Sequence, residues 1–363
     1  MDISRPTVLL AAGGTGGHVF PALALADELL LRGYQVEVAT DTRGLRYYDG
    51  LHTSVSRHII ASGGNTGGII GKVKAAFGVI QGIIQSIKLV KKLKPIAIVG
   101  FGGYPSVPPV LAGQLLGVST IIHESNAVLG LANKILAHRV DKLALSYPQT
   151  SGLSDKVVDK SYFTGNPVRQ AIANLSILPY PSPDDKISIM IFGGSQGAKV
   201  FSDVIPLALT GLPIDLQKRM KVVQQAIPAT VDDVQKIYAN SHVECEIKSF
   251  FDDVPERMKT THLFITRSGA STVSEMTAAG RPAIYIPFPR HKDNQQVFNA
   301  EQVVNAGGGW MILEKDLTVE HLKDLLSRIL VEPETLISAA NQAKRLGIID
   351  SAIRLADLIT EFN

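Results

Sequence analysis

Two short stretches, one near the start of the chain and one at its middle, share an order of residues that few folds accommodate. Thr7 to Ala12 is an unbroken apolar run feeding Gly13-Gly14-Thr15-Gly16-Gly17-His18, then a helix opened by Pro21 and closed by Gly33. The same order returns 180 residues later: Ile187 to Phe192, then Gly193-Gly194-Ser195-Gln196-Gly197-Ala198, then another helical stretch. Continuous apolar runs of this length read as strands of a parallel sheet buried on both faces. Strand, glycine loop and helix in that sequence open a doubly wound α/β half. Two such openings in 363 residues predict two Rossmann-like domains with a cleft between them.

Further runs fit this frame. Gln35 to Ala39 is the next strand. Ile96 to Val99 ends at Gly100-Phe101-Gly102-Gly103-Tyr104-Pro105, and Thr120 to Ile122 ends at His123-Glu124-Ser125-Asn126. Ligands of open parallel sheets sit beyond the carboxyl ends of strands, which is where these clusters fall. Thr164-Gly165-Asn166-Pro167 is the linker candidate, and Pro179 to Asp185 is a loop before the second half's first strand. The tail from about Leu336 to Phe362 has helical spacing and is expected to cross back. The predicted domains are therefore 1–166 with 346–363, and 167–345.

The stretch Thr266 to Gln296, TRSGASTVSEMTAAGRPAIYIPFPRHKDNQQ, carries the strongest chemical signal. A strand (Leu263–Ile265) is followed by a small-residue turn and a short helix from about Ser271 to Ala279, ended by Gly280 and Pro282. Ser268, Gly269 and Ala270 leave the helix start unobstructed, so its N–H groups and dipole can hold an anion such as phosphate. Thr272 and Glu275 share one face, roughly 4.5 Å apart along the axis. That suits a hydroxyl on a phosphate and a carboxylate on the two hydroxyls of a ribose. Gln295 and Gln296, beyond the next strand, offer the donors and acceptors that sugar hydroxyls need. The order of groups suggests a nucleotide-sugar site, against the plainer alternative of a βαβ unit whose Ser and Thr only cap a helix.

Composition narrows the class. With 36 basic and 33 acidic side chains the formal charge is +3, too small to argue for nucleic acid. A lone cysteine, Cys245, excludes an intrachain disulfide and suits a reducing compartment. Met1-Asp2-Ile3-Ser4 lacks the basic head of a signal peptide, so a cytoplasmic protein is expected. Residues 64–94 are a separate matter. Val73, Phe77, Ile80, Ile84 and Ile87 form a helical stripe, Ile69 and Ile70 lie at its start, and Lys72, Lys74, Lys88, Lys91, Lys92 and Lys94 flank the run. Only 13 uncharged residues lie between Lys74 and Lys88, too few to span a bilayer. Two readings remain: a basic-rimmed patch lying on anionic lipid, or a core helix with solvated lysines.

Among catalytic candidates, His18 follows a loop whose glycines let backbone approach a ligand closely. It sits at a helix start that depresses its pKa, so a neutral imidazole could serve as general base or merely cap the helix. The loop is a poor dinucleotide fingerprint, because Val19 stands where the third glycine belongs; Asp41 could still meet a ribose. No two aspartates are two positions apart, so no D-x-D pair holds a metal on a diphosphate. Leaving-group charge would fall to helix N-termini, hydroxyls and a basic side chain such as Arg169, donors worth roughly 3–4 kcal/mol each when removed.

Six motifs, GGTGGHVFPALALA (13–26), HESNAVLGLANK (123–134), FTGNPVR (163–169), GGSQGA (193–198), TRSGASTVSE (266–275) and HKDNQQ (291–296), in order and spacing resemble the MurG family. Those bacterial transferases move N-acetylglucosamine (GlcNAc) from UDP-GlcNAc to the C4 hydroxyl of MurNAc in lipid I, giving lipid II for peptidoglycan. The resemblance covers essentially the whole chain. It implies a GT-B fold, an inverting transfer without metal or cofactor, and a peripheral location on the cytoplasmic face of the bacterial inner membrane. The partners implied are UDP-GlcNAc, lipid I, an anionic membrane surface and a complex of cell-wall enzymes. By position, Glu275 resembles the ribose ligand, Thr272 and Ser195 the phosphate hydroxyls, and Arg169 the basic residue near the diphosphate. Ala270, Gln295 and Gln296 match contacts to the sugar, Asn126 lies near it from the other domain, and Phe251 falls where backbone reads uracil. His18 is similar to the family's essential histidine, with Thr15, Gly16 and Glu124 nearby; His18 is favoured over Glu124 as base. The likeness also favours the membrane reading of 64–94. Ser125, Leu129 and Ser271 depart from the pattern (Gln, Pro and Leu are expected), and Pro289-Arg290 makes the following loop one residue longer. Rival readings are a UDP-GlcNAc 2-epimerase of the same fold and a nucleotide-sugar-binding membrane adaptor without catalysis.

Overall fold

The computed structural model describes residues 5–48, 55–63, 68–194, 197–289 and 293–362, with the backbone alone for 68–75. The chain divides into two compact units, Met1–Arg169 with Ile349–Asn363, and Gln170–Ile348.

In the first unit the strands are β1 (Thr7–Ala11), β2 (Gln35–Thr40), β3 (Ser56–Ile59), β4 (Ala97–Gly100), β5 (Ser119–Glu124), β6 (Lys142–Leu145) and β7 (Ser161–Phe163). They form one parallel sheet in the order β3-β2-β1-β4-β5-β6-β7. Its helices are α1 (Gly16–Leu31), α2 (Gly68–Leu93), α3 (Val107–Leu116), α4 (Leu131–Leu136) and α5 (Asp155–Val158). The side chains of β1 alternate between two cores. Val8 and Leu10 join Leu25, Leu29, Leu355 and Ile359 on one face, and Leu9 joins Val90, Val110 and Leu136 on the other. A parallel strand covered on both sides has no reason to alternate apolar with polar, hence the unbroken run.

The helix after β1 begins at Gly16, not at Pro21, which lies inside it. Proline this close to the start removes only one early i→i−4 bond, so the helix tolerates it. Gly33 ends α1 in the left-handed region (φ 84°), and the N–H groups of Gly33 and Tyr34 return to Leu30 and Leu29, the usual glycine stop.

The second unit opens with α6 (Gln170–Ala173) and holds β8 (Ile187–Phe192), α7 (Lys199–Thr210), α8 (Ile214–Arg219), β9 (Met220–Gln225), α9 (Val231–Ala239) and β10 (Glu244–Lys248). It continues with α10 (Val254–Met258), β11 (Leu263–Thr266), α11 (Ala270–Ala278), β12 (Ala283–Tyr285), α12 (Gln295–Asn305), β13 (Gly309–Met311), α13 (Val319–Ile329) and α14 (Pro333–Leu346). Its sheet, β10-β9-β8-β11-β12-β13, is again parallel throughout. The tail is two helices, not one. After α14 the chain breaks at Gly347, and α15 (Ser351–Thr360) packs in the first unit against α1, with Leu355 and Ile359 in its core. Gly347 has no room for a side chain, since a Cβ would lie 2.5 Å from the Thr277 carbonyl.

α2 turns its periodicity inside out. Gly82, Ser86, Leu89 and Val90 face inward, while Phe77, Ile80 and Ile84 are 69%, 57% and 52% exposed. A Cβ at Gly82 would come within 2.0 Å of the Ala61 carbonyl, and one at Gly78 within 3.3 Å of that of Ser62. Small residues four apart let the helix lie against the backbone, and the large apolar side chains point away. Of the predicted patch, the side chains of Ile69, Ile70, Lys72, Val73 and Lys74 lie outside the described residues. Lys88, Lys91, Lys92 and Lys94 are exposed.

Candidate functional site

Register places the first cluster. Val8 to Ala11 pair with Ala97 to Gly100, so the loops leaving β1 and β4 emerge side by side. His18, in the first turn of α1, is thereby laid against Gly102 and Gly103. A Cβ on Gly103 would sit 3.1 Å from its Cδ2 and 3.2 Å from its Nε2; one on Gly102 would sit 3.5 Å from its Nδ1. Both glycines also have positive φ (79° and 70°), so the ring's seat requires them twice over. Burial pushes the His18 pKa below its ordinary value, partly offset by the Phe101 main chain. Its Nδ1 has no partner in hydrogen-bonding geometry among the described residues. The ring is therefore neutral near pH 7 and can accept a proton. Thr15 is exposed and Gly16 buried; Gly16 has no space for a Cβ, which would lie 2.8 Å from Phe20 Cε2.

Asp41 shapes the same loop from below. Its Oδ1 accepts the N–H groups of Gly14 (2.8 Å) and Gly44 (2.9 Å), and its Oδ2 accepts Arg43 Nε (2.8 Å). Burial alone would raise this carboxyl, but Arg43 and the two amides hold it below the usual carboxylate range. Asp41 is thus a fastening for the glycine loop, not a group waiting for a ribose.

At the end of β5, Glu124 is buried and accepts four hydrogen bonds: Asn126 N (2.9 Å), Asn126 Nδ2 (3.1 Å), Gly130 N (2.8 Å) and Asn133 Nδ2 (2.8 Å). Burial raises its pKa, and those donors pull the other way. A carboxylate so fully engaged orders the 124–133 segment and has little lone-pair capacity left for a substrate proton. Behind it His123 is completely buried, near Gly165 O (3.2 Å) and Ser146 Oγ (3.2 Å), with Ser125 Oγ 3.4 Å from Nδ1. Burial first, then the charge of His18, push its pKa down to about 4. Leu129 is buried and its N–H donates to Ser151 O (2.9 Å). Arg169, at the end of this unit, lies 5.1 Å over the Phe20 ring.

The second cluster is placed by β8 and β11, whose ends pair Phe192 with Thr266. The 193–198 loop and the 267–270 turn therefore leave the sheet together. Ser195 itself lies outside the described residues. Gly193, fixed by Gln225 Oε1 (3.2 Å), could not carry a Cβ, which would meet Ala198 N at 2.7 Å. α11 starts from Gly269 with extended backbone and no side-chain cap, so its first N–H groups are not consumed by the cap residue. Val273, Met276 and Thr277 face the core, while Ser271, Thr272 and Glu275 are half-buried on the other side and Ala270 is buried at the start.

Around that turn the side chains are already at work on the protein. Ser268 Oγ donates to Gln296 O (2.7 Å), and Gln296 Oε1 accepts Ser268 N (3.2 Å) and Phe288 N (3.0 Å). The Gln296 oxygen is thus committed to joining two loops. Gln295 Nε2 donates to Asp293 Oδ2 (2.5 Å), beside Asn294, which holds a left-handed φ of 50°; His291 lies outside the described residues. Arg267 was not singled out by its sequence, although it adjoins the turn. Its guanidinium donates to Ile286 O (3.1 Å) and Pro287 O (3.3 Å), pairs with Glu314 (2.5 Å) and lies between the rings of Phe201 and Phe288. Phe251 points inward, its ring under Arg257 (4.7 Å) and Lys248 (5.7 Å); what it can offer a ligand is backbone. Among the described residues no group of three His, Cys, Asp or Glu side chains could hold a metal ion.

The model of the glycosyltransferase family 28 N-terminal domain matches residues 8–145, and that of its C-terminal domain matches 188–355. Over 359 residues the chain is 43% identical to the UDP-N-acetylglucosamine–N-acetylmuramyl-(pentapeptide) pyrophosphoryl-undecaprenol N-acetylglucosamine transferase of Rhodospirillum centenum, covering 98% of this chain and 94% of the relative. The crystal structure of Acinetobacter baumannii MurG aligns with a TM-score of 0.80 at 29% identity, over 98% of this chain and all 100% of that one. A UDP-GlcNAc 2-epimerase from Neisseria meningitidis also aligns, over 98% of this chain and 100% of that one, but at 13% identity and a TM-score of 0.65 that likeness is of fold alone. Both halves matched, and identity sustained across nearly the whole length, mean that the chain belongs to the MurG family of GT-B glycosyltransferases.

Proposed function

We propose that the chain transfers GlcNAc from UDP-GlcNAc to the C4 hydroxyl of the MurNAc of lipid I, inverting the anomeric centre and using no metal. The observation that carries this reading is the start of α11, whose cap residue Gly269 has no side chain to occupy its first N–H groups, with Thr272 and Glu275 together on the face turned from the core. In the donor half, the first N–H groups of α11 and the Thr272 hydroxyl hold the diphosphate, with Ser195 as a further hydroxyl. Glu275 accepts from the ribose hydroxyls, and main chain at Phe251 meets the base. Ala270, the side-chain oxygen of Gln295 and the amide nitrogen of Gln296 serve the sugar.

The acceptor half contributes the proton acceptor. His18 is kept neutral by its buried seat, so it takes the hydroxyl proton as the C4 oxygen attacks the anomeric carbon from the face opposite UDP. Glu124, saturated by its own segment, positions Asn126 rather than taking the acceptor's proton. Charge developing on the departing UDP is met by the α11 N-terminus and by Arg169, whose seat on Phe20 limits where its guanidinium can go. Fixed donors of this kind need no reorganisation as the bond breaks, which is the source of their effect.

The acceptor's lipid explains α2. Phe77, Ile80 and Ile84 form an apolar ridge with exposed lysines beyond it, suited to lie in an anionic surface without crossing it. Among the described residues no helix is long and apolar enough to cross a membrane. A peripheral site on the cytoplasmic face of the inner membrane, beside other cell-wall enzymes, fits that chemistry.

Radiolabelled UDP-GlcNAc mixed with the protein and a lipid I analogue tests the whole reading. Label in a lipid product, with UDP released and no divalent cation required, is expected. Conversion of the donor to its C2 epimer without acceptor would establish the epimerase instead, and tight donor binding without turnover would establish an adaptor.

A further inference from the structure

Arg281, in the turn from α11 to β12, is one of the largest fully buried side chains of the second unit, 1% exposed. Among the described residues its charge meets carbonyl oxygens and no carboxylate. Nε donates to Met258 O (2.7 Å), Nη1 to Ala279 O (3.0 Å) and Gly280 O (3.3 Å), and Nη2 to Lys259 O (3.2 Å). Two of these carbonyls finish α11 and two finish α10. The Tyr180 ring lies 5.6 Å from the guanidinium carbon, and its hydroxyl is tied to His262 O (2.7 Å). Burying a guanidinium is costly when an apolar side chain could fill the same space. What the cation supplies is a partner for carbonyls that a helix end leaves unpaired, at the negative pole of its dipole.

The opposite ends of these two helices carry the donor-site residues. α10 begins three positions after Phe251, and α11 begins at Ala270 with Thr272 and Glu275 within its first two turns. We infer that Arg281 is a positioning residue for the nucleotide: by fastening the C-terminal ends of α10 and α11 to one planar fork, it fixes the separation between the loop that meets the base and the helix that holds phosphate and ribose. Leverage makes the effect large. α11 has nine residues, about 13 Å, so a tilt of about 5° at its fastened end moves its N-terminus by about 1 Å. Lysine can substitute only in part, because one ammonium point does not span two helix ends as the guanidinium fork does. The inference rests on the donor-site reading above.

The test is UDP binding by titration calorimetry to Arg281→Met and Arg281→Lys, with donor and acceptor KM and melting temperature measured in parallel. A misplacement of about 1 Å breaks one charge-assisted hydrogen bond to ribose or phosphate, which predicts a roughly ten- to hundredfold weaker UDP Kd for the Met variant, with Lys between it and wild type. Donor KM should follow Kd while acceptor KM stays within about twofold, a split that general loss of structure does not produce. Should the Met variant fail to fold, the Lys variant decides. Wild-type UDP affinity in folded Lys protein, or donor and acceptor KM rising together, overturns the role of Arg281 alone. Failure of the wild-type protein to bind UDP overturns the donor-site reading, and this inference with it.

Discussion

Replacing Gly103 by Ala tests whether the seat of His18 governs turnover. Gly103 has φ 70° and ψ 165°, a region that residues with a Cβ occupy only at a cost of about 1–3 kcal/mol. In a unit of this size each kcal/mol lowers the melting temperature by about 2–4 °C. A second effect is specific to the site. The new Cβ would lie 3.1 Å from Cδ2 and 3.2 Å from Nε2 of His18, inside the roughly 3.5–4.0 Å of a relaxed contact. Backbone holds the glycine, so the ring yields, by about 0.5 Å. A displacement near 1 Å can cost about a hundredfold in rate, so roughly tenfold in kcat is expected, or about 1.4 kcal/mol of barrier. Gly117→Ala is the control: φ is also 70°, but nothing lies within 4 Å of its added carbon, so it should lose stability and keep kcat. Both variants would be assayed for transfer of labelled sugar well below their melting temperatures, with the native fraction read by circular dichroism. Wild-type kcat in folded Gly103→Ala, or equal loss in both variants, would refute the reasoning.

Three further outcomes follow from the same geometry. Glu275→Ala should weaken UDP-GlcNAc binding by about 1.5–3 kcal/mol, the range for hydrogen bonds to a charged group; an unchanged calorimetric Kd would remove it from the ribose. The buried His123, held near pKa 4 against an ordinary 6.5, binds its proton more weakly folded than unfolded. Its contribution is therefore present above pH 6.5 and is lost as pH falls toward 4, on the order of 3 kcal/mol. Glu124, raised by burial, contributes the opposite slope from its unfolded value upward, so the urea midpoint of wild type should be compared with that of His123→Asn, whose curve should be flatter across this window. Ile80→Ser combined with Ile84→Ser should cost about 2 kcal/mol of binding to anionic vesicles, since each side chain is about half exposed and full burial is worth about 1.5–3 kcal/mol. Flotation measures it, and unchanged membrane capture would exclude the ridge.

Strands such as Ile187 to Phe192 were legible because an unbroken apolar run covered on both faces allows little else. β6 and β9, equally covered but carrying the buried polar Lys142, Gln224 and Gln225, do not read as strands. Glycine loops were legible for the same kind of reason: at Gly14, Gly103 and Gly194 the backbone takes positive φ, and only glycine does so freely. What the sequence does not carry is direction and commitment. The period of α2 reveals a stripe at Phe77, Ile80 and Ile84 but not that it faces outward, since that depends on Ala61 and Ser62 meeting Gly82 and Gly78. Gln296 reads as a free amide, yet two main-chain N–H groups from distant positions occupy its oxygen. Asp41 and Glu124 read as ligands or bases for the same reason, and the structure fills their lone pairs with Gly14, Gly44, Gly130 and Asn133. Arg267 and Arg281 gave no signal, because a buried arginine is recognised by the carbonyls around it, and Ile286 and Pro287 for the first, Met258 and Lys259 for the second, lie about 20 positions away.

The close approach of α2 to the chain beneath it also determines how far its apolar crest stands out from the protein. Every carbon added at position 82 would act as a shim, lifting the axis off the Ala61 carbonyl and drawing away Gln85, whose Oε1 receives the Ala61 N–H (2.8 Å). Two hydrogen atoms in place of side chains thus fix an altitude, and with it the depth to which three large residues would reach into an oily layer if the proposed ridge lies on one.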